Sequence, residues 1–324
     1  MRSRLAVILL LLALYPIFCA AGFIHPTAKI TLKVIDNKGA PIEDADVSVV
    51  FAVPKGHGQG WGADASVVDG KTNKKGLFTA SGKTTEGVTS SVSKKGYYGG
   101  GGGRISFTET SFGRWKPWNP TIEVVLKEKR NPIPMYVGGT GGHKDIPVFD
   151  QPVGYDLEKK DWVAPYGEGS VKDFIFVFSV SDQNAKSWEE WNCSYKLTFS
   201  NQKDGILEYY PDKKDRSEYK WPYEAPETGY KSELTGFKAM EKQPDGMYRN
   251  KTSYNQEKRY IFRVRTKVDG KGNIVEAKYG KIGGDIIQGL KTVAFGYYFN
   301  PTGTRNLEFS GANLFTSNKN KYPY

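Results

Sequence analysis

The chain has few of the residues that most often bind metals or form disulfides. Its 324 residues include two cysteines and three histidines. Removal of the N-terminal segment described below leaves Cys193 alone, which excludes an intramolecular disulfide and predicts a small buried thiol at the start of a strand. The histidines lack the paired spacing of a zinc site. We therefore predict no metal, no cofactor and no identifiable catalytic residue.

Long apolar runs are also missing, except at the N-terminus. Arg2 and Arg4 precede an apolar run from Leu5 to Leu14, and small residues follow at Cys19-Ala20-Ala21. This order predicts a secretory signal peptide over residues 1–21. We therefore expect a secreted or periplasmic protein.

Two other interpretations of this segment have less support. A membrane anchor would need a longer apolar run, and no second run follows, so no transmembrane segment is expected after cleavage. A lipoprotein would need Leu and small residues before Cys19, where the sequence has Pro16-Ile17-Phe18. Lipidation is therefore not predicted.

Positive charge is in excess once the signal is removed. The remaining 44 basic and 35 acidic residues give a net charge of +9. Such a chain is attracted to polyanions, which for an exported protein are acidic polysaccharides, lipid headgroups or wall polymers. Scattered, solvated lysines are the simpler explanation, because only short clusters such as Lys127 to Arg130 occur. Nucleic acid is not expected, since no basic stripe interleaved with aromatics is present.

The first third of the chain has the pattern of a β-sandwich. Ile30, Leu32 and Val34 alternate with polar residues, which is the period-two pattern of a strand with one buried face. A turn at Asp36-Asn37-Lys38-Gly39 follows. Further short strands are predicted at Val47 to Phe51, Thr79 to Lys83, Ser90 to Ser93, Arg104 to Glu109 and Ile122 to Leu126.

These residues resemble the carboxypeptidase regulatory-like domain, a prealbumin-like sandwich. The family pattern is matched by Asp36, Gly39, Pro41, Ile42, Ala45 and Val47, then by Thr72, Gly76 and Phe78, and then by Gly96 and Tyr97. The resemblance implies an Ig-like accessory module without catalytic residues. Two segments depart from the pattern, Lys55 to Gly70 and the glycine run Gly99 to Gly103. Both are predicted as loops, which is where binding often resides.

A domain boundary is predicted near residue 130. A strand ends at Leu126, a charge cluster follows, and Asn131-Pro132-Ile133-Pro134 stiffens a short link. We predict a β-sandwich over residues 22–130 and a second, mainly antiparallel β domain over residues 131–324. Gly154 to Gly169 and the hairpin from Arg259 to Asp285 are similar to parts of the C-terminal halves of uncharacterised exported bacterial proteins, and this resemblance implies no known activity.

The second domain is predicted to contain many strands and few short helices. Its clearest hairpin joins Tyr260 to Val268 with Ile274 to Tyr279. Helices are expected only at Ala185 to Trp191 and Glu233 to Glu241. Other strands are predicted at Phe174 to Phe178, Tyr195 to Phe199, Ile206 to Tyr210 as the hairpin partner of the preceding strand, Val293 to Phe299 and Leu307 to Phe309.

A catalytic constellation is not evident. His143 lies in a glycine-rich loop, and Asp145 or Asp150 would be able to orient its imidazole. An exposed loop histidine is the simpler interpretation. Carboxylates such as Glu158 and Asp161 are numerous, but the sequence does not show that two of them face each other across a sugar, as a glycosidase requires.

Aromatic residues are abundant, with 20 Tyr, 17 Phe and 7 Trp. Rings on loops stack against the faces of sugars, while core packing is the simpler use of rings in a β protein. The segment Trp115-Lys116-Pro117-Trp118 is the most promising glycan platform. The predicted binding residues are Trp61, Trp115, Trp118, His143 and Trp162.

These observations predict an exported, non-catalytic binding or structural protein of the cell envelope that binds glycan through exposed aromatics. One alternative is a secreted glycan or peptide hydrolase with a site between the two domains, in which a carboxylate acts with His143. Another alternative is a protein-interaction component of a surface assembly, which a flat apolar patch would indicate.

Overall fold

The computed structural model describes residues 25–54, 63–85, 87–140, 142–212 and 216–316. All helical or strand structure in these residues is β, which confirms the predicted all-β class and leaves no predicted helix in place. The described ranges contain no helical segment with the length and apolarity needed to span a bilayer. The predicted signal peptide, Trp61 and the first part of the predicted loop from Lys55 lie outside the described residues.

The described residues form two compact units. Unit 1 contains those up to residue 128 and residues 216–220, and unit 2 contains those of 129–212 and 221–316. The strands of unit 1 are β1 (Thr27–Asp36), β2 (Asp46–Pro54), β3 (Ala63–Lys71), β4 (Leu77–Lys83), β5 (Gly87–Ser93), β6 (Gly100–Ser106), β7 (Glu109–Ser111), β8 (Arg114–Lys116) and β9 (Thr121–Leu126).

Unit 1 has two sheets and an aliphatic core. One sheet has the order β4-β1-β8-β7, with β9 also paired to β1, and the other has the order β3-β2-β5-β6. Ile30, Leu32 and Val34 of β1 are fully buried, as their alternation predicts. The predicted turn is present, since the Asp36 carboxylate accepts hydrogen bonds from the backbone N–H groups of Lys38 and Ala40.

The two predicted loops of unit 1 are partly strands, and those predictions are wrong. Residues Ala63–Lys71, within the predicted loop from Lys55 to Gly70, form β3. Most of the glycine run belongs to β6. A Cβ at Gly101 would lie 2.3 Å from the carbonyl oxygen of Ser90 on the neighbouring strand, so the glycine permits close strand pairing rather than marking a loop.

Unit 2 is built from fifteen strands. They are β10 (Ile133–Gly139), β11 (Lys144–Asp145), β12 (Pro152–Asp156), β13 (Asp161–Trp162), β14 (Phe174–Val180), β15 (Trp191–Thr198), β16 (Gly205–Tyr209), β17 (Glu233–Lys242), β18 (Tyr248–Thr252), β19 (Arg259–Val268), β20 (Ile274–Ile282), β21 (Ile287–Gln288), β22 (Thr292–Ala294), β23 (Gly296–Asn300) and β24 (Phe309–Asn313).

These strands form three sheets around an aromatic core. The sheets have the orders β16-β19-β20-β23-β10-β24, β13-β12-β14-β15-β17-β18 and β11-β22-β21. Phe174, Phe176 and Phe178 on β14 are fully buried, and their rings meet those of Trp162, Tyr195, Phe262 and Phe295 in the core. Most contacts between these rings are edge-to-face, the arrangement that their quadrupoles favour.

The predicted hairpin of β19 and β20 is confirmed, but two other predictions for unit 2 are wrong. The sequence predicts β16 as the hairpin partner of β15, but β16 pairs with β19. The free edge of β15 is taken by β17, which pairs with it over eight residue pairs. The residues predicted as the helix from Glu233 to Glu241 form β17 itself. This long pairing overrides their local helix propensity.

The other predicted helix is also absent. Residues 185–190 form turns, and Trp191 begins β15. The last residue of the predicted helix is therefore the first residue of a strand, where its ring is buried. The short spacing between β14 and β15 leaves little chain for a helix.

Candidate functional site

Unit 2 has an open groove on the solvent-facing side of the sheet that contains β14, β15 and β17. The groove has a volume of about 430 Å³, which is within the range of small-molecule sites. It is lined by Val177, Ser179, Ser194, Tyr195, Lys196, Thr235, Gly236, Phe237 and Ser253.

Strand register brings the groove residues together. Ser194 on β15 pairs with Ser179 on β14 and with Phe237 on β17. Lys196 pairs in the same way with Val177 and Thr235. Residues paired across a sheet project from the same face, and residues two apart along a strand do so too. The groove floor is therefore a two-row grid of side chains from three adjacent strands.

Burial along β15 separates this face from the core. Cys193, Tyr195 and Leu197 are buried, whereas Asn192, Ser194 and Lys196 are exposed. On β17, Leu234 and Gly236 are buried while Thr235 and Phe237 are exposed. Period-two alternation thus gives one apolar side and one polar side to the same strands. Phe237 breaks the rule, because a large apolar ring lies on the polar side with 43% of its surface exposed.

A glycine beneath the groove makes room for a buried ring. A Cβ at Gly236 would lie 2.5 Å from Cε1 of Tyr195, so a larger residue would displace that ring. Tyr195 packs against Phe176 in the core, and burial raises the pKa of its phenol. The groove floor is consequently fixed by core packing.

The rim of the groove is tied to β17 and to a buried carboxylate. Ser253 accepts a hydrogen bond from the Phe237 N–H through its Oγ at 2.8 Å, and its own N–H donates to the Phe237 carbonyl at 3.0 Å. Two residues later, the Asn255 N–H donates to Asp285 at 2.9 Å. Asp285 also accepts a hydrogen bond from the Tyr260 hydroxyl and lies 3.7 Å from Lys258 Nζ. The rim loop therefore has a defined position.

The groove offers both apolar and polar contacts to a ligand. The hydroxyls of Ser194 and Thr235 have no hydrogen-bond partner among the described residues, so each is able to donate and accept. Lys196 forms a half-exposed ion pair of 2.6 Å with Glu233 at the groove edge. An exposed ring beside free hydroxyls and one ion pair suits a ligand with an apolar face and a hydroxylated edge.

The carboxylates considered in the sequence analysis are used in structural contacts. Arg265 donates two hydrogen bonds to Asp173, at 2.7 and 2.9 Å, and forms an ion pair of 2.9 Å with Glu158. Burial opposes the charge of Arg265, but Asp173 and Glu158 outweigh it and raise the pKa of the guanidinium. Lys278 also pairs with Glu158 at 3.0 Å. Asp156 lies 3.6 Å from Arg265, so this partly buried network joins two cations and three carboxylates in mutual ion pairs.

Two further aspartates stabilise turns by accepting hydrogen bonds from the backbone. Burial disfavours the charge of Asp156, but four backbone N–H groups donate to its carboxylate and lower its pKa. Burial likewise opposes the charge of Asp161, while Lys144, at 2.8 Å, and two backbone N–H groups lower its pKa. Both carboxylates have their hydrogen-bonding capacity occupied, which leaves them poorly suited to proton transfer.

His143 is exposed, and one side-chain hydrogen-bond contact links it to another described residue. Its Nδ1 lies 3.5 Å from the Thr292 hydroxyl. Among the described residues, neither candidate aspartate is a hydrogen-bond partner of His143. The Asp150 carboxylate instead accepts from the Ser179 hydroxyl at 2.6 Å. The geometry does not assemble an acid–base pair around this histidine.

The predicted tryptophans differ in exposure. Trp162 is 3% exposed and packs in the core of unit 2. Trp115 packs against the core of unit 1, and its indole donates to the Thr84 carbonyl at 2.8 Å. Trp118 is 41% exposed, with the Arg114 guanidinium 4.9 Å from the centre of its ring. Of the three, Trp118 offers the most ring surface to a ligand.

Cys193 is the free cysteine of the described residues. Cys193 is buried at the start of β15, as predicted, and burial raises the pKa of its thiol. A raised pKa lowers the thiolate fraction and hence the reactivity of a cysteine. In the described ranges no three His, Cys, Asp or Glu side chains are placed to hold a metal ion.

One buried amine stands apart from these sites. Lys281 Nζ donates to the Leu307 carbonyl at 2.6 Å and lies 5.3 Å from the ring centre of Trp221 and 5.0 Å from that of Tyr298. Burial lowers the pKa of Lys281 to about 7, although the charge of Glu308 opposes the shift. Because Lys281 is only 3% exposed, a change in its protonation should affect the stability of the fold.

Sequence reasoning missed Phe237 because its segment was interpreted as a helix. The available signal was the alternation of Leu234 and Gly236 with Thr235 and Phe237, which has the period of a strand. An aromatic residue on the polar side of that alternation marks an exposed ring.

The comparisons with known proteins identify no family. No protein-family model matches the chain, and no curated protein does. Two mutant forms of the shaft pilin spaA from Lactobacillus rhamnosus GG match with 12% identity each and TM-scores of 0.23 and 0.21. They cover 78% and 79% of this chain and 92% of their own. A streptococcal ancillary pilin matches with 11% identity, a TM-score of 0.22 and coverage of 88% of this chain and 63% of its own. Likeness at these TM-scores carries no conclusion about this chain.

Proposed function

We propose that this protein is an exported, non-catalytic envelope protein that binds glycan chains in the groove of unit 2. The observation that carries the proposal is the exposed Phe237 ring on a face whose other side chains are Val177, hydroxyls and charged groups. Export is inferred from the predicted signal peptide over residues 1–21, and it would place the groove in contact with envelope or environmental polysaccharides.

Phe237 would supply the apolar contact. One face of a pyranose ring presents C–H groups, which pack well on an aromatic ring. Burying the exposed part of a phenylalanine contributes roughly 1–2 kcal/mol at about 25 cal/mol per Å². A single ring therefore supports only weak binding to one sugar, and useful affinity would come from several sugars or several copies.

The hydroxylated edge of the sugar would meet the polar part of the groove. Ser194 and Thr235 supply hydroxyls without protein partners, and Lys196 supplies a cationic donor. Because these groups are held on three hydrogen-bonded strands, little side-chain and no backbone ordering is needed on binding. Such preorganisation favours recognition of a rigid polysaccharide.

Co-sedimentation tests the proposal. Residues 22–324 are incubated with cellulose, chitin, xylan and bacterial sacculi across a salt series, and the supernatant is assayed for released sugar. We expect salt-resistant pelleting without sugar release, lost in Phe237→Thr and kept in Tyr166→Ala, which removes another exposed ring of unit 2. Sugar release would favour the hydrolase alternative, and binding lost only in Trp118→Ala would move the glycan site to unit 1. Failure to pellet would leave a protein partner as the alternative.

A further inference from the structure

We propose that the β7–β8 hairpin of unit 1 is a peripheral docking tip for anionic lipid bilayers. The hairpin turns at Phe112 and Gly113, and Phe112 is the most exposed large apolar side chain in the described residues. The proposal is independent of the groove in unit 2 and of what that groove binds.

The turn is tight and carries an unfavourable residue. Phe112 and Gly113 both have positive φ, +48° and +72°, as the two central residues of a type I′ turn do. Asn or Gly is the usual residue at the first position, since a bulky side chain is strained there. The chain therefore places an apolar ring, at a conformational cost, in a fully exposed position. Such outliers cluster at functional positions.

The tip stands on a cationic sheet face. Thr27 of β1 pairs with both Lys83 of β4 and Arg114 of β8, so these side chains share a row on one face. Lys29 and Lys116 lie two residues further along their strands on that same face. The face also has two acidic residues: Glu109, opposite Lys116, and Glu123, which forms an ion pair of 3.2 Å with Lys33 further along β1.

These cations are available to a partner. None of Lys29, Lys83, Arg114 and Lys116 forms an ion pair with another described residue. The Arg114 guanidinium instead lies over the half-exposed Trp118 ring. On the opposite side of β8, Trp115 packs on Phe107 and towards the core, so the hairpin is held in place from beneath.

This combination fits an anionic bilayer better than a soluble polyanion. A projecting apolar ring lowers the free energy of the complex when it enters the boundary of the acyl chains. A tryptophan is stable at the level of the lipid headgroups, and cations pair with lipid phosphates. A polyphosphate or an acidic polysaccharide in solution would use the cations and leave Phe112 exposed. The positive charge of the sheet face suits any anionic partner, whereas the exposed Phe112 ring favours a membrane over a soluble polyanion.

The test is flotation of residues 22–324 with vesicles of phosphatidylglycerol and phosphatidylcholine in varied ratio. We expect binding that rises with the anionic fraction. Phe112→Asn should weaken it by about tenfold or more, because asparagine suits the turn but has no apolar surface. Arg114→Gln and Lys116→Gln should each weaken binding by about fivefold. The matched control is Lys74→Gln with Lys75→Gln, which removes two exposed lysines from the β3–β4 turn.

Insertion of the tip is measured separately. A Phe112→Cys variant is labelled with an environment-sensitive fluorophore, which spares the buried Cys193. Vesicles should shift the emission to the blue, while soluble polyphosphate should leave it unchanged. Absence of vesicle binding, or binding that is indifferent to Phe112→Asn, would overturn the proposal. Binding to polyphosphate and not to vesicles would overturn it in favour of a soluble polyanion.

Discussion

The two units fill their cores with different side chains. The core of unit 1 is mainly Ile, Leu, Val and Ala, with Phe51 and Phe107 as its buried rings. The core of unit 2 is largely Phe, Tyr and Trp, and a partly buried ionic network around Arg265 lies in the same unit. The difference shows where the aromatic surplus of the sequence goes. Eleven rings are buried in the core of unit 2, and the rings that are exposed among the described residues are the candidates for binding.

The ionic network around Arg265 should give one of the two largest stability effects. Arg265→Met leaves Asp173 without its guanidinium partner in a buried position. We expect a loss of about 3–5 kcal/mol in the free energy of unfolding. The control is Arg249→Met, which removes the exposed pair with Asp245 and should cost less than about 1 kcal/mol. Equal losses in urea melts of the two variants would contradict this distinction.

Cavities should destabilise each unit separately. Phe176→Ala removes a fully buried ring of unit 2 and should cost about 3–5 kcal/mol, while Leu32→Ala in unit 1 should cost about 2–5 kcal/mol. Hydrogen exchange of backbone amides reports which strands open. We expect faster exchange confined to the unit that carries the change, and uniform acceleration throughout both units would show that the two cores unfold together.

The buried amine of unit 2 should make stability depend on pH. The pKa of Lys281 is about 7 in the folded state, because burial disfavours its charge, and about 10.4 when unfolded. Between these values the unfolded state binds more protons, so stability rises with pH by up to about 1.4 kcal/mol per unit. Above pH 10 the buried tyrosines, whose pKa values burial raises, reverse the slope.

Melts at pH 7, 8 and 9 measure this dependence. Lys281→Met keeps the length of the side chain without the amine and should flatten the rise over this range. The control is Lys238→Met, which removes a partly buried lysine of β17 and should leave the slope unchanged. An unaltered slope in Lys281→Met would assign the dependence to another group.

The exposed ring should have the smallest effect on stability. Phe237→Thr keeps a β-forming residue on the open face of β17, so we expect a change within about 0.5 kcal/mol. Loss of glycan pelleting with an unchanged melt would separate this ring from the core rings. A loss of several kcal/mol would show that Phe237 belongs with the packing residues.

Local patterns predicted much of the fold. The alternation around Ile30 and the turn at Asp36 to Gly39 are present as predicted, and so is the hairpin of β19 and β20. These features depend on period-two burial and on turn residues, and both patterns can be recognised in a sequence window of about ten residues.

Long-range pairing was not predictable in the same way. The segment of β17 contains good helix formers, and only its pairing with β15, some forty residues away, makes it a strand. The groove depends on that pairing, since Ser194 and Phe237 become neighbours only through it. Likewise, the sequence could not show that Trp162 is buried while Phe237 and Phe112 are exposed.

The most direct test of glycan binding in the groove is a titration of the isotope-labelled chain with soluble oligosaccharides, including chitin and xylan fragments and muropeptides, followed by amide chemical shifts. The account predicts shift changes at Ser194, Thr235 and Phe237, absent in Phe237→Thr. Shift changes centred on Trp118, or none with any of these fragments, would contradict it.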